Sequence, residues 1–157
     1  MDAALYREWN ALEGRHWWFV ARRRIFMRLL AGYLPPASRT ILDVGCGTGR
    51  NLTALADLGT ATGLDPASGA LEHCRAHRLE RLAAGFLSAL PFADESFDLV
   101  TAFDVLEHDG DPERCVREVH RVLAPGGWFF ATVPAYSFMW GDHDVVAHHH
   151  RRYTPSH

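Results

Sequence analysis

The chain has 157 residues, 48% of which are hydrophobic, and its formal net charge is −3. This length and composition fit one domain with an ordinary buried core and exclude a disordered chain. The small net charge gives no general attraction to nucleic acid or to an anionic membrane, so we expect neither as a partner.

The N-terminal part is predicted to be helical. Residues 2–34 carry apolar side chains at helical spacing, with an interruption at Gly14, and Pro35-Pro36 ends the pattern. We therefore predict a helical cap over residues 1–36, ahead of a domain over residues 37–157. The aromatic side chains of the cap are equally suited to cover a bound cofactor or to pack on the domain; they are Trp9, Trp17, Trp18 and Phe19.

From residue 40 onward, short apolar strands alternate with helices. The predicted strands are 40–44, 60–64, 82–86, 97–103 and 128–133, and the predicted helices are 51–58, 66–78 and 111–123. Alternation at this pitch is typical of an α/β fold in which helices cover both faces of a parallel sheet. The sequence therefore predicts a three-layer, doubly wound sheet of about five strands.

The first predicted strand runs into a glycine-rich turn, Asp43-Val44-Gly45-Cys46-Gly47-Thr48-Gly49. Glycines at such a turn let the backbone approach a ligand. In a doubly wound sheet, the ligand binds outside the carboxyl ends of the strands. Asp65 ends the second strand, where an acid is placed to bind both hydroxyls of a ribose.

Two residues of this turn disfavour a dinucleotide, and with it a nicotinamide-dependent dehydrogenase. A dinucleotide site needs glycine or alanine at the sixth position of the turn, and Arg50 stands there. A dinucleotide also brings a pyrophosphate to the following helix, whereas the carboxylate of Asp43 suits an amino group.

At this point the chain resembles the class I S-adenosylmethionine (SAM)-dependent methyltransferases, whose domain is Rossmann-like. The resemblance covers residues 40–133, and it includes the stretches 90–100, 104–108 and 121–127 in the family's order. The flanking sequences 16–19 and 149–153 resemble those of small-molecule methyltransferases. The resemblance implies transfer of a methyl group from SAM to a small-molecule or lipid-like acceptor.

The resemblance also implies roles for individual residues. Asp43 and Gly45 would hold the methionine end of SAM, Gly47 and Gly49 would allow close approach, and Asp65 would bind the ribose. Asp104 would sit beside the sulfonium, and the adenine pocket would be lined by Pro66, Ala67, Leu87 and Ser88. Phe86 stands where some members have an acid that contacts the adenine amino group, so this contact is missing or is shifted to Ser88.

Histidines are the candidates for removing a proton from an acceptor, because their side chains titrate near neutrality. We name His108 and His16 as candidate catalytic residues; the alternative for Glu107-His108 is that they end a strand and fix a loop. Consecutive histidines rarely all face one ion, so we expect no metal site at His148–His150 with His143. The arginine run Arg22–Arg24 is predicted to be a solvated face.

The family's sheet needs two more strands after the fifth, so we expect the C-terminal strands to be missing and the fifth strand to be an exposed edge that favours a homodimer. A non-catalytic SAM-binding module, lacking a complete acceptor site, is therefore the alternative to an enzyme.

The three cysteines, Cys46, Cys74 and Cys115, fit no metal or disulfide pattern. Together with the lack of a signal-peptide pattern, this leads us to expect a cytoplasmic protein.

Overall fold

The computed structural model describes residues 10–34 and 39–154. The predictions for Trp9 and Pro35-Pro36 lie outside these residues. Residues 10–15 are helical. The helices that follow are α1 (Trp17–Tyr33), α2 (Arg50–Leu55), α3 (Ser68–Ala76), α4 (Pro112–Val122) and α5 (Asp142–Val146), and the strands are β1 (Thr40–Val44), β2 (Thr60–Asp65), β3 (Leu82–Ala84), β4 (Phe97–Phe103) and β5 (Leu123–Thr132). Short 3₁₀ turns cover Leu106–His108 and Ser137–Met139.

The five strands form one parallel sheet in the order β3-β2-β1-β4-β5. The chain moves outward from β1 to β3, and then crosses back to β4 beside β1. The topological switch point therefore lies between β1 and β4, where such sheets bind their ligands. This confirms the predicted α/β doubly wound fold.

Helices cover both faces of the sheet because its central strands are apolar on both sides. On one face, Leu30 of α1 and Leu55 of α2 pack with Ile41 and Leu99. On the other face, Val119 of α4 packs in a cluster with Leu42 and Val100. Helix α1 is thus part of one outer layer, and its Phe26 stacks on Phe103 with ring centroids 5.3 Å apart.

Some predicted boundaries are wrong. Helix α2 ends at Leu55, three residues early, and α3 begins at Ser68 and ends at Ala76. Strand β3 ends at Ala84 because the chain turns back there, with a bridge between Phe86 and Ala89. Strand β5 begins five residues early, because Leu123 pairs with Phe97 ahead of an irregularity that accommodates the Pro125-Gly126-Gly127 bend.

The cysteines Cys46, Cys74 and Cys115 are buried and unpaired. Within the described residues, no helix is long and apolar enough to cross a membrane.

Candidate functional site

The glycine-rich turn after β1 has an unusual backbone. Gly45, Gly47 and Gly49 all have positive φ angles, of 68°, 50° and 79°. A Cβ atom on Gly45 would lie 2.6 Å from the Cγ2 atom of Val105, so no larger residue fits there. A Cβ atom on Gly47 would meet nothing closer than 3.9 Å. The turn therefore presents bare backbone, open at Gly47, at the switch point of the sheet.

Asp43 lies beneath this turn and is 1% exposed. Its Oδ1 atom accepts a hydrogen bond of 2.8 Å from the Thr101 hydroxyl, whereas Oδ2 has no hydrogen-bond partner among the described residues. Burial raises the pKa of Asp43 to about 7; Thr101 lowers it and the charge of Asp65 raises it further. A buried carboxylate with a free oxygen is suited to bind a cation.

Asp65 joins two turns at the carboxyl ends of β1 and β2. Its Oδ2 atom accepts from the backbone N–H of Gly47 at 3.0 Å, and its Oδ1 atom accepts from that of Ala67 at 2.9 Å. Each oxygen retains a second lone pair, so the predicted ribose contact is compatible with these bonds. Pro66 and Ala67 form the link from Asp65 to α3, and Pro66 is exposed.

Asp104 follows β4 with a φ of 55°, a conformation uncommon for a residue other than glycine. Its Oδ1 atom accepts from the Thr132 hydroxyl at 2.9 Å, and its Oδ2 atom accepts from Nη2 of Arg22 at 2.5 Å. The side chains of Arg22 and Asp104 are 23% and 38% exposed, so this ion pair is open to solvent on one side.

The N-terminal helical residues close over the glycine turn. Glu13 accepts a short hydrogen bond from the Thr48 hydroxyl, and Arg50 donates to the Asn10 side chain at 2.6 Å. The cavity left between them has a volume of about 130 Å³, below the roughly 300–1,000 Å³ of typical ligand sites. Its lining includes Glu13, Phe19, Arg22, Arg23, Phe26, Gly45, Cys46, Gly47, Thr48, Arg50, Asn51, Phe103 and Asp104.

A second cavity, of about 640 Å³, lies on the other side of Asp104. Helix α1, the end of β5 and the segment after β5 surround this space. Arg22, Phe26 and Asp104 line both cavities. The remaining lining residues are Trp18, Glu107, Thr132, Val133, Pro134, Ala135, Met139, His143, His149 and Arg152. Asp104 thus stands at the junction of the two spaces.

The predicted adenine residues after β3 lie apart from the first cavity. Leu87 is 4% exposed and belongs to the core cluster around Leu42 and Val100. Ser88 is half-buried, and its side chain helps to lower the pKa of Asp109. Neither is in the lining of either cavity. The adenine role of these residues stays a prediction.

The two candidate catalytic histidines have different surroundings. His108 follows Asp104 on the 3₁₀ turn, and its ring centroid is 4.8 Å from that of His149. Burial, together with the neighbouring His149, lowers the pKa of His108. His16 caps α1, where its Nδ1 atom accepts from the Trp18 N–H at 3.4 Å. Neither histidine is in the lining of either cavity. Both catalytic roles stay predictions.

Sequence reasoning missed Arg22, Glu107 and His149 as site residues. The sequence places Arg22 in a solvated run, but its guanidinium lies 6.0 Å from the Trp18 ring and 5.2 Å from the Phe26 ring. These aromatics stand four residues before and after Arg22 on the helix, and this spacing was the available signal. His149 stands in the visible histidine run, but the sequence does not indicate that Glu107 and His108, some forty residues earlier, lie beside it.

The chain is similar to known methyltransferases, as the resemblance implied. The family described as "Methyltransferase domain" matches residues 42–131. The ubiquinone biosynthesis O-methyltransferase of Paracidovorax citrulli is 40% identical over 111 residues, which cover 65% of this chain and 47% of that protein. A probable S-adenosylmethionine-dependent methyltransferase of Mycolicibacterium smegmatis is 35% identical over 126 residues, which cover 78% of this chain and 48% of that protein.

A solved structure shows the same fold over nearly the whole chain. It is the complex between the Haloferax volcanii Trm112 methyltransferase activator and a methyltransferase, with a TM-score of 0.72 and 28% identity over 97% of this chain and 67% of that chain. The chain spans about half the length of the curated relatives that it matches.

Proposed function

Because the chain belongs to the methyltransferase domain family, which matches residues 42–131, we propose that it binds S-adenosylmethionine and methylates a small-molecule acceptor. One observation supports this function above others. Asp104 lines both the cavity at the glycine turn and the larger cavity beyond it. A methyl donor in the first space and an acceptor in the second would meet at this residue.

The residues at the turn fit S-adenosylmethionine, the cofactor that the family implies. The Oδ2 atom of Asp43, which none of the described residues hydrogen-bonds, suits the cofactor's ammonium group. The open backbone at Gly47 leaves room for close approach. In this assignment Gly45 and Gly49 shape the turn and Asp65 binds the ribose. The cavity is small in this state, so binding requires the helical residues 10–15 or Arg22 to move outward.

The cofactor supplies a methyl group on a positively charged sulfur, which is already a good leaving group. The protein's contribution is then mainly alignment, which can lower a barrier by on the order of 7–11 kcal/mol. In this proposal Asp104 lies beside the positively charged sulfur of the donor. His108 is our candidate for accepting a proton from the acceptor.

The second cavity suits a small, largely apolar acceptor. Trp18, Phe26, Val133, Pro134 and Met139 line it, beside a few polar groups. This mixture is typical of small-molecule sites. The name ubiquinone biosynthesis O-methyltransferase says that these relatives methylate an oxygen atom. We propose an oxygen acceptor for this chain also.

The first experiment is calorimetric titration with S-adenosylmethionine and S-adenosylhomocysteine, with NAD as the negative control. We expect saturable binding of the first two ligands, loss of binding in Asp65→Ala, and no effect of Asp57→Ala, which changes an exposed carboxylate. Absence of binding by either ligand would refute the proposed function. Binding without turnover on any hydroxylated acceptor would favour the alternative, a non-catalytic SAM-binding module.

Three further expectations remain proposals. Residues 1–36 are proposed to act as a cap on the domain formed by residues 37–157. The buried, unpaired cysteines support a reducing, cytoplasmic location. Strand β5 is an edge of the described sheet, which supports self-association through this edge. Sedimentation that shows one monomeric species at all concentrations would exclude the homodimer.

A further inference from the structure

Three metal-ligating side chains converge beside the second cavity. Glu107 and His108 lie on the 3₁₀ turn after β4, and His149 comes from the segment after α5. Their ligand atoms all lie within 4.8 Å of one another. In a tetrahedral site with ligands at about 2.1 Å, the ligand atoms lie roughly 3.4 Å apart. Side-chain rotations that shorten the present separations by at most about 1.4 Å would therefore bring all three onto one ion.

Glu107 supplies a second and independent observation. Its side chain is fully buried, and neither carboxylate oxygen has a hydrogen-bond partner among the described residues. Burying an unpaired carboxylate is costly unless a cation or hydrogen-bond donors compensate the charge. A cation bound between Glu107 and the two histidines would provide this compensation.

His149 is oriented as metal-binding histidines usually are. Its Nδ1 atom lies 2.9 Å from Oδ1 of Asp144, a fully buried carboxylate, and this leaves Nε2 free for a ligand. Arg152 holds Asp144 in place through bonds of 2.8 and 2.9 Å. The His108 side chain forms a hydrogen bond with the backbone of Ala147. A carboxylate behind a ligating histidine fixes its tautomer and strengthens the ligand.

We propose that Glu107, His108 and His149 bind one divalent first-row transition-metal ion. Two imidazoles and one carboxylate suit zinc, iron, cobalt or manganese, whereas calcium and magnesium prefer oxygen ligands alone. The proposal revises our expectation of no metal site. The histidine run does not bind as a unit, since His149 joins ligands from a turn some forty residues earlier.

The site also points to the class of acceptor, and this step rests on the proposed function. Glu107 and His149 line the second cavity, so the remaining coordination positions of the ion would face the acceptor. We infer an acceptor with a hydroxyl group that binds the ion and releases its proton to solvent. The hydroxyl oxygen then forms the O–CH₃ bond as the S–CH₃ bond breaks, and the bonding electron pair stays on sulfur. His108 in this case holds the ion and does not accept the proton.

The test is titration of the EDTA-treated chain with Co²⁺, followed by visible absorption, and with Zn²⁺, followed by calorimetry. We expect one ion per chain and at least about tenfold weaker binding in Glu107→Gln and His149→Ala. The control is His77→Ala, because His73 and His77 are an exposed histidine pair outside the proposed site, with Nε2 atoms 3.2 Å apart. Circular dichroism checks that each variant is folded, and Glu107→Gln is nearly isosteric.

Three outcomes would overturn the metal site. They are unsaturable binding in the wild-type chain, unchanged affinity in a folded Glu107→Gln variant, and loss of binding in His77→Ala. S-adenosylmethionine binding, measured on the same samples, separates this result from the proposed function. Retained cofactor binding without metal binding would refute the metal site and leave the proposed function unaffected.

Discussion

Replacing Asp43 with asparagine tests whether the site's buried carboxylate destabilises the folded chain at neutral pH. Asparagine can still accept the hydrogen bond from the Thr101 hydroxyl, but it carries no charge. In the wild-type chain, burial raises the pKa of Asp43 from 3.8 to about 7. A carboxyl group whose pKa is higher in the folded state stabilises that state. This contribution to the free energy of unfolding is fully present below the unfolded-state pKa and is lost as the pH rises through the folded-state pKa.

The size of the effect follows from these two pKa values. Between pH 5 and pH 8.5 the wild-type chain should lose a contribution of about 2–3 kcal/mol, at about 1.36 kcal/mol per pKa unit. The asparagine side chain does not titrate, so the variant should lose nothing from this position. Other groups titrate in both chains and cancel in the difference. Relative to the wild type, Asp43→Asn should therefore gain about 2–3 kcal/mol of unfolding free energy over this interval.

The assay is urea unfolding of both chains at pH 5 and pH 8.5, with Asp57→Asn as the matched control. Asp57 is an exposed carboxylate, so its variant should track the wild type at both pH values. A difference between Asp43→Asn and the wild type that stays constant within about 0.5 kcal/mol would refute the argument. It would mean that Asp43 titrates near its ordinary pKa.

Three other perturbations have defined outcomes. Arg22→Met should bind S-adenosylmethionine about two- to fivefold more tightly in calorimetry, because the partly exposed ion pair with Asp104 no longer has to be broken; weaker binding would contradict this. Gly47→Ala and Gly126→Ala should each cost about 1 kcal/mol in urea unfolding, since both have positive φ and open space. Only Gly47→Ala should lose cofactor binding, and equal binding by the two variants would place the cofactor elsewhere. Arg121→Met should cost about 1–2 kcal/mol, because Arg121 donates to the carbonyl of Leu90 and to the half-buried Glu118, whose pKa it lowers to about 2; an unchanged urea midpoint would contradict this.

Local sequence signals predicted the sheet well. Short strands such as Phe97–Phe103 are buried on both faces, and this double burial leaves a largely apolar run that is visible in the sequence. The glycines of the turn were equally visible, because positive φ angles restrict the choice of residue. Helix ends were less predictable: α2 stops at Leu55 without a glycine or proline at its end.

The parts of the site that depend on distant contacts were not predictable. Glu107 looked like an ordinary residue at a strand end. That its carboxylate has no hydrogen-bond partner in the described part of the chain depends on how the segment after β5 packs over it. Arg22 reaches Asp104 across 82 residues of sequence. Periodicity places a side chain on a face of its own element, but it does not specify which distant carboxylate that face will meet.

The ion pair between Arg22 and Asp104 also has a consequence for the end of a reaction cycle. The guanidinium of Arg22 lies 2.5 Å from the carboxylate of Asp104, the residue proposed to lie beside the positively charged sulfur of the donor. Methyl transfer leaves the sulfur of the cofactor neutral, so the spent cofactor offers Asp104 no positive charge. Arg22 remains nearby on its helix as a competitor for the carboxylate. In the proposed reaction, this difference of one unit of charge would favour retention of a fresh donor and release of the by-product, and it would oppose product inhibition.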